Sequence, residues 1–254
     1  MRFILFVKDG DAYAELRADL DPAMTVLDAL ESLRAAGEDG AFPVRVPHYR
    51  HSCHHGSCGT CGAVVNGLES LMCLTRLDDL AAPRPRRPGG PPEPPETGAD
   101  GAVIVRVDPI RRGALIGGAA ARPDEALRAV PEWLGYLRAA ETGGKAALEG
   151  DPTRDGAGGG APERVRFEAC IECGLCSSSC PVGAPFIGPA ALAALNRGRE
   201  RGEARAAELL DRAGAADGAP ACERHLACSR VCPQAVYPGK HIQLLKNALA
   251  AKEP

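Results

Sequence analysis

The chain has 254 residues, enough for two modest domains or one large one. Its 30 glycines and 22 prolines beside 4% aromatics describe a loop-rich protein, while 45% apolar and 25% charged content argue against global disorder. A net charge of −3 and a pI near 6.1 leave no basic surplus for a nucleic-acid partner.

Residues 2–7 (RFILFV) are predicted as a strand, with Tyr13–Arg17 as its hairpin partner after the turn at Asp9–Gly10–Asp11. Thr25 then precedes VLDALESLRAA, whose Val26, Leu27, Leu30 and Leu33 form one apolar stripe and whose Asp28 sits in the first turn. This is the pattern of a capped amphipathic helix. Ala63–Val65, Asn66–Gly67 and Leu68–Cys73 read as a hairpin with a favoured two-residue turn, and Ala102–Val107 as a closing strand. Residues 83–98 hold seven prolines and read as a solvated surface loop inside the first domain. A helix is expected at Asp124–Ala139, a flexible stretch at 143–161, and further helices at Pro189–Asn196, Glu203–Ala213 and Lys240–Ala250. The expected division is therefore residues 1–108 and a helical domain over 109–254. No apolar run is long enough to span a bilayer, and the N-terminus lacks the features of a secretory signal.

Eleven cysteines dominate the chemistry. The number is odd and the expected compartment reducing, which disfavours a disulfide framework and favours metal ligation. Cys53, Cys58 and Cys61, followed by Cys73, have the plant-type spacing of a [2Fe–2S] centre; glycines at 56, 59 and 62 permit the close approach that such a loop needs. Zinc held by four thiolates is the alternative. Cys170, Cys173, Cys176 and Cys180, the last before Pro181, form the bacterial ferredoxin run, in which the cysteine before proline serves the other cluster. Cys222, Cys228 and Cys232, again before a proline, form the reciprocal group. By that crossover Cys232 completes a [4Fe–4S] set with Cys170, Cys173 and Cys176, and Cys180 joins Cys222 and Cys228. Position 225, where a further cysteine would stand, is His225; three thiolates favour a [3Fe–4S] centre, with ligation of a fourth iron by His225 as the alternative. The partition into four, four and three uses every thiol. His48, His51, His54 and His55 crowd the first loop as neighbours of the site, because all four cysteines there are present.

The stretches CHHGSCGTCGAVVNGLESLMC, CIECGLCSSSCP followed by FIGPAAL, and CERHLACSRVCP followed by HIQLLK occur in order. Together they resemble the iron–sulfur subunit of the succinate dehydrogenase and fumarate reductase family. The resemblance implies an α+β chain: an N-terminal β-grasp, plant-type ferredoxin domain, then an α-helical bacterial-type ferredoxin domain. It implies a relay of electrons from FAD in a flavoprotein subunit, through [2Fe–2S], [4Fe–4S] and [3Fe–4S] clusters, to a quinone at membrane anchor subunits. The place implied is the cytoplasmic side of the cell membrane, held peripherally by those anchors. The chain has neither GxGxxG after a strand nor GxxxxGK[ST], in keeping with flavin chemistry on a partner. One departure stands out: only PVGAP separates Cys180 from Phe186, and the single tryptophan, Trp133, lies elsewhere, whereas relatives place a tryptophan in this segment at the quinone pocket. The alternatives are the iron–sulfur subunit of a soluble fumarate reductase complex and a freestanding ferredoxin-like carrier.

Overall fold

Alternating Phe3, Leu5 and Val7 put one fully buried face on strand β1 (Arg2–Asp9) of this computed structural model, which describes residues 1–40, 45–85, 90–123, 127–131, 134, 170–200 and 205–252. β1 turns at Gly10 (φ +57°) into antiparallel β2 (Ala12–Asp19), with Leu5 opposite Leu16. Helix α1 (Val26–Glu38) starts as its sequence demands. Thr25 Oγ1 accepts from the Asp28 N–H at 3.1 Å, and Asp28 Oδ2 accepts from the Thr25 N–H at 3.2 Å, a reciprocal capping box.

β3 (Gly62–Val65) and β4 (Leu68–Leu71) form the expected hairpin, with both turn residues, Asn66 and Gly67, at positive φ. The strand predicted to reach Cys73 instead stops at Leu71. A single 3₁₀ turn at Met72–Leu74 swings the Cys73 thiol inward. A short helix, α2 (Leu77–Ala81), follows, and the proline-rich stretch carries a two-residue ladder of β5 (Arg84–Pro85) with β6 (Pro92–Glu93); residues 86–89 lie outside the described residues. β7 (Val103–Asp108) inserts parallel to β1 and antiparallel to β3, giving the sheet order β2-β1-β7-β3-β4. α1 closes one face of this sheet, the arrangement of a β-grasp.

Beyond residue 109 the sequence pattern predicts helix, but a hairpin comes first, β8 (Ala114–Gly117) with β9 (Ala120–Arg122). The helix expected at Asp124–Ala139 and the stretch 143–161 fall largely or wholly outside the described residues; within the first, Leu127–Val130 form turns. The helical half consists of α3 (Leu175–Ser178), α4 (Pro189–Glu200), α5 (Ala206–Gly214), α6 (Ala227–Arg230) and α7 (Pro238–Ala250). Leu192, Leu195, Leu209, Ile242 and Leu245 make its core, with Leu134 packed against it. The two halves are not separate bodies of apolar packing: Leu175 is fully buried in the core of the sheet domain, with Ile171 and Val231 against it. Among the described residues no helix is long and apolar enough to cross a membrane.

Candidate metal centres

The loop from Cys53 to Cys61 connects α1 to β3 and is bent by positive φ at His54, Gly56 and Gly59. These bends aim backbone donors at sulfur. The Cys58 N–H donates to Cys53 Sγ at 3.3 Å and the Thr60 N–H to Cys58 Sγ at 3.5 Å. The His55 N–H, the Cys58 thiol and further backbone N–H groups hold the Cys53 pKa down to about 6. Cys73 arrives from the 3₁₀ turn after β4 and faces the Cys61 thiol; burial first, then that neighbour, push it up to about 12. The four predicted thiols are thus brought together. The nearby histidines are engaged elsewhere: His51 Nδ1 lies 3.1 Å from His54 Nε2, His51 Nε2 lies 3.3 Å from Glu31, and His55 Nδ1 lies 2.9 Å from Ser57 Oγ.

A second set of thiols lines one apolar cavity: Cys170, Cys173, Cys176 and Cys232. Burial pushes Cys170 up to about 12, Cys173 up to about 11 and Cys176 well above the usual thiol range. The Val236 N–H donates to Cys232 Sγ at 3.4 Å. Cys180, Cys222 and Cys228 line another cavity with His225, and burial raises Cys180 as well as Cys228, the latter to about 11. In space, Cys232 lies with the earlier run and Cys180 with the later one.

The two loops repeat each other's backbone. Glu172 and Gly174 have positive φ after Cys170 and Cys173, and Arg224 and Leu226 have positive φ at the corresponding places after Cys222 and His225. Each second bend starts a one-turn helix, α3 or α6, that carries the next cysteine. His225 thus occupies the place that Cys173 has in the first loop. Its ring turns outward, with Nε2 2.9 Å from Glu223 Oε2 and the side chain 45% exposed.

The donor set suits anionic iron–sulfur clusters. Thiols surround apolar cavities, and backbone N–H groups point at sulfur, where they stabilise thiolate. The Ser177 hydroxyl, one residue from Cys176, is buried with no hydrogen-bond partner among the described residues. Because most of these thiols are held neutral by burial, loading must displace protons. Among the described residues no three His, Cys, Asp or Glu side chains converge tightly enough for a single metal ion.

Sequence spacing does not reveal what joins the centres. A Cβ on Gly59 would lie 2.5 Å from the Ile171 carbonyl oxygen, and one on Gly62 would lie 2.9 Å from that of Cys173, so both glycines give room to the second cysteine loop. Gln234 Nε2 donates to the Gly56 carbonyl at 3.0 Å, and Lys246 Nζ to the Cys222 carbonyl at 2.8 Å.

Comparison with known proteins agrees with this geometry. Residues 6–114 match a family model described as a 2Fe-2S iron-sulfur cluster binding domain, and residues 166–236 match a 4Fe-4S dicluster domain. The fumarate reductase iron-sulfur subunit of Mycobacterium tuberculosis is 32% identical over 214 residues, covering 80% of this chain and 74% of that protein. Its namesake from Escherichia coli O157:H7 is 29% identical over 205 residues, covering 77% and 71%. A chain from the solved Mycobacterium smegmatis Sdh1 complex in the apo form has the same fold, with a TM-score of 0.61 at 20% identity over 99% of this chain and 97% of that one. With a 2Fe-2S domain followed by a 4Fe-4S dicluster domain, the chain belongs to the iron–sulfur, electron-transferring subunits of the succinate dehydrogenase and fumarate reductase family.

Proposed function

We propose that this chain relays electrons between an FAD-containing flavoprotein subunit and a membrane quinone, as part of a succinate:quinone or quinol:fumarate oxidoreductase. The observation that carries the reading is the sorting of all eleven thiols into three sets, two of them exchanging a cysteine across sequence. Cys53, Cys58, Cys61 and Cys73 would hold [2Fe–2S]. Cys170, Cys173, Cys176 and Cys232 would hold [4Fe–4S]. Cys180, Cys222 and Cys228 would hold [3Fe–4S], with His225 a neighbour, since its ring is turned to Glu223. When bound, such clusters supply one-electron sites whose potentials the surrounding protein sets.

The chain's own residues do the rest. Burial keeps water from the inner thiols, backbone N–H groups support thiolate charge, and Gly59 and Gly62 let the first loop approach the second. The proposed division is a [2Fe–2S] domain over residues 1–108 and a two-cluster domain over 109–254. The flavoprotein would meet the first centre and membrane anchor subunits the third, on the cytoplasmic face. Pro181, Val182 and Phe186 border the third cavity.

Metal and sulfide analysis of the anaerobically purified complex tests the reading. About nine irons per chain are expected from two, four and three, with a flavoprotein co-purifying and succinate reducing quinone. Stoichiometric zinc with negligible sulfide would overturn it, and a chain that carries clusters but always runs alone would make it a freestanding carrier.

A further inference from the structure

Strand β4 alternates, and Glu69 shares its inward face with Leu71. A carboxylate there needs partners, and it finds them on the helical half. Arg111 Nη1 donates to Glu69 Oε1 at 2.9 Å, and Ser178 Oγ donates to the same oxygen at 3.1 Å. The Arg111 backbone N–H closes the triangle by donating to Ser178 Oγ at 3.0 Å. Ser178 is itself 3% exposed and lies on α3, two residues after Cys176 and two before Cys180. A buried anion is thus fixed to the turn that carries a thiol of the second centre.

The ion pair is lopsided. The Glu69 side chain is 4% exposed and the Arg111 side chain 56%. Water screens the guanidinium far more than the carboxylate, so inside the protein the field of the pair is that of its negative end. Reduction of an iron–sulfur centre adds one negative charge, which a nearby buried anion disfavours.

We propose that Glu69 is a potential-tuning residue: its buried carboxylate, pinned by Arg111 and Ser178, lowers the reduction potential of the centre at Cys170, Cys173, Cys176 and Cys232, whose Cys176 shares the one-turn helix α3 with Ser178. The inference rests on the cluster assignment above and deepens it. It also explains a carboxylate on the packed face of an edge strand, where an apolar residue would fold as well.

Redox titration of the purified complex, followed by EPR, tests it. Glu69→Gln keeps the shape and the accepting oxygen but removes the charge. The potential of the [4Fe–4S] centre should rise, while that of the [2Fe–2S] centre moves much less. Arg111→Gln leaves the buried anion without its counter-charge, and the same potential should fall. Opposite signs are the signature of a charge effect; loosened packing would move both variants the same way. Equal shifts in both variants, or no shift, would overturn the inference while leaving the cluster assignment standing. Should Glu69→Gln not assemble, the direction of the Arg111→Gln shift decides alone. Absence of inorganic sulfide in the wild-type complex would sink the assignment itself, and the role of Glu69 with it.

Discussion

At residue scale the most consequential position is 225. The backbone there is bent as around Cys173, with positive φ at Arg224 and Leu226, yet it presents imidazole in place of thiol. His225→Cys should therefore convert the third centre towards [4Fe–4S] without reshaping the loop. The paramagnetic [3Fe–4S] signal of the oxidised protein should fade, and the added thiolate charge should lower the potential and slow turnover. EPR of the oxidised variant is the measurement. If instead the wild type is diamagnetic when oxidised and His225→Ala becomes three-iron, His225 is a ligand. Crossover ligation gives a second outcome at this scale. Cys232→Ser should damage the [4Fe–4S] centre, because Cys232 shares a cavity with Cys170, Cys173 and Cys176 despite lying four residues beyond Cys228. Loss of the [3Fe–4S] signal alone would count against that pairing.

At the scale of elements, α4 and α7 are joined by a buried hydrogen bond between Asn196 Nδ2 and His241 Nδ1 at 2.9 Å. Asn196 Oδ1 is already taken by Arg199 at 3.1 Å, so a protonated His241 would set donor against donor. Burial, and then Arg197, depress the His241 pKa. A base whose pKa is lowered on folding contributes stability that is complete above its unfolded value, about 6.5, and that is lost as pH falls through the folded value. The helical half should weaken as pH falls below about 6.5, by urea unfolding followed by circular dichroism. His241→Gln should flatten that profile; parallel profiles would rule the pair out as its cause. Both helices were legible in the sequence because their apolar spacing is long enough to count, and α1 was legible down to Thr25 and Asp28 because capping is local. The one-turn helices α3 and α6 were not. Four residues carry no periodicity, and their starts depend on single bends at Gly174 and Leu226. The β8–β9 hairpin was missed because its strands, ALIG and AAR, are short and alanine-rich, and it is fixed by a tertiary contact in which the Ala119 N–H donates to the His48 carbonyl at 2.8 Å. The thiol sets were legible through spacing alone, whereas Glu69, Gln234 and the room made by Gly62 exist only once the halves meet.

Over the whole molecule, order is unevenly founded. The first half has a five-stranded sheet around Phe3, Leu5, Leu16, Leu30 and Val105, whose inner strands β1, β7 and β3 pair on both sides. The second half has a smaller core and cysteine loops that run through left-handed bends at Glu172, Arg224, Leu226, Ala235 and Tyr237. Such bends persist only where something over-determines them, and ligation by a common cluster is the strongest such constraint available to these loops. Stripping the metal should therefore not act evenly. Hydrogen exchange of chelator-treated protein at pH 7 should retain protection in β1, β3 and β7 and lose most of it across 170–200 and 205–252. The pH dependence of the stripped form has a definite sign. Thiols whose folded pKa is raised, to about 11 for Cys173 and Cys228, contribute stability that is intact below the unfolded thiol value and lost as pH climbs through the folded one. Residual protection around α3 and α6 should thus decline further between about pH 9 and 11, while that of the sheet does not follow it. Equal loss of protection in both halves on stripping would mean that the sheet, too, is held together by its metal.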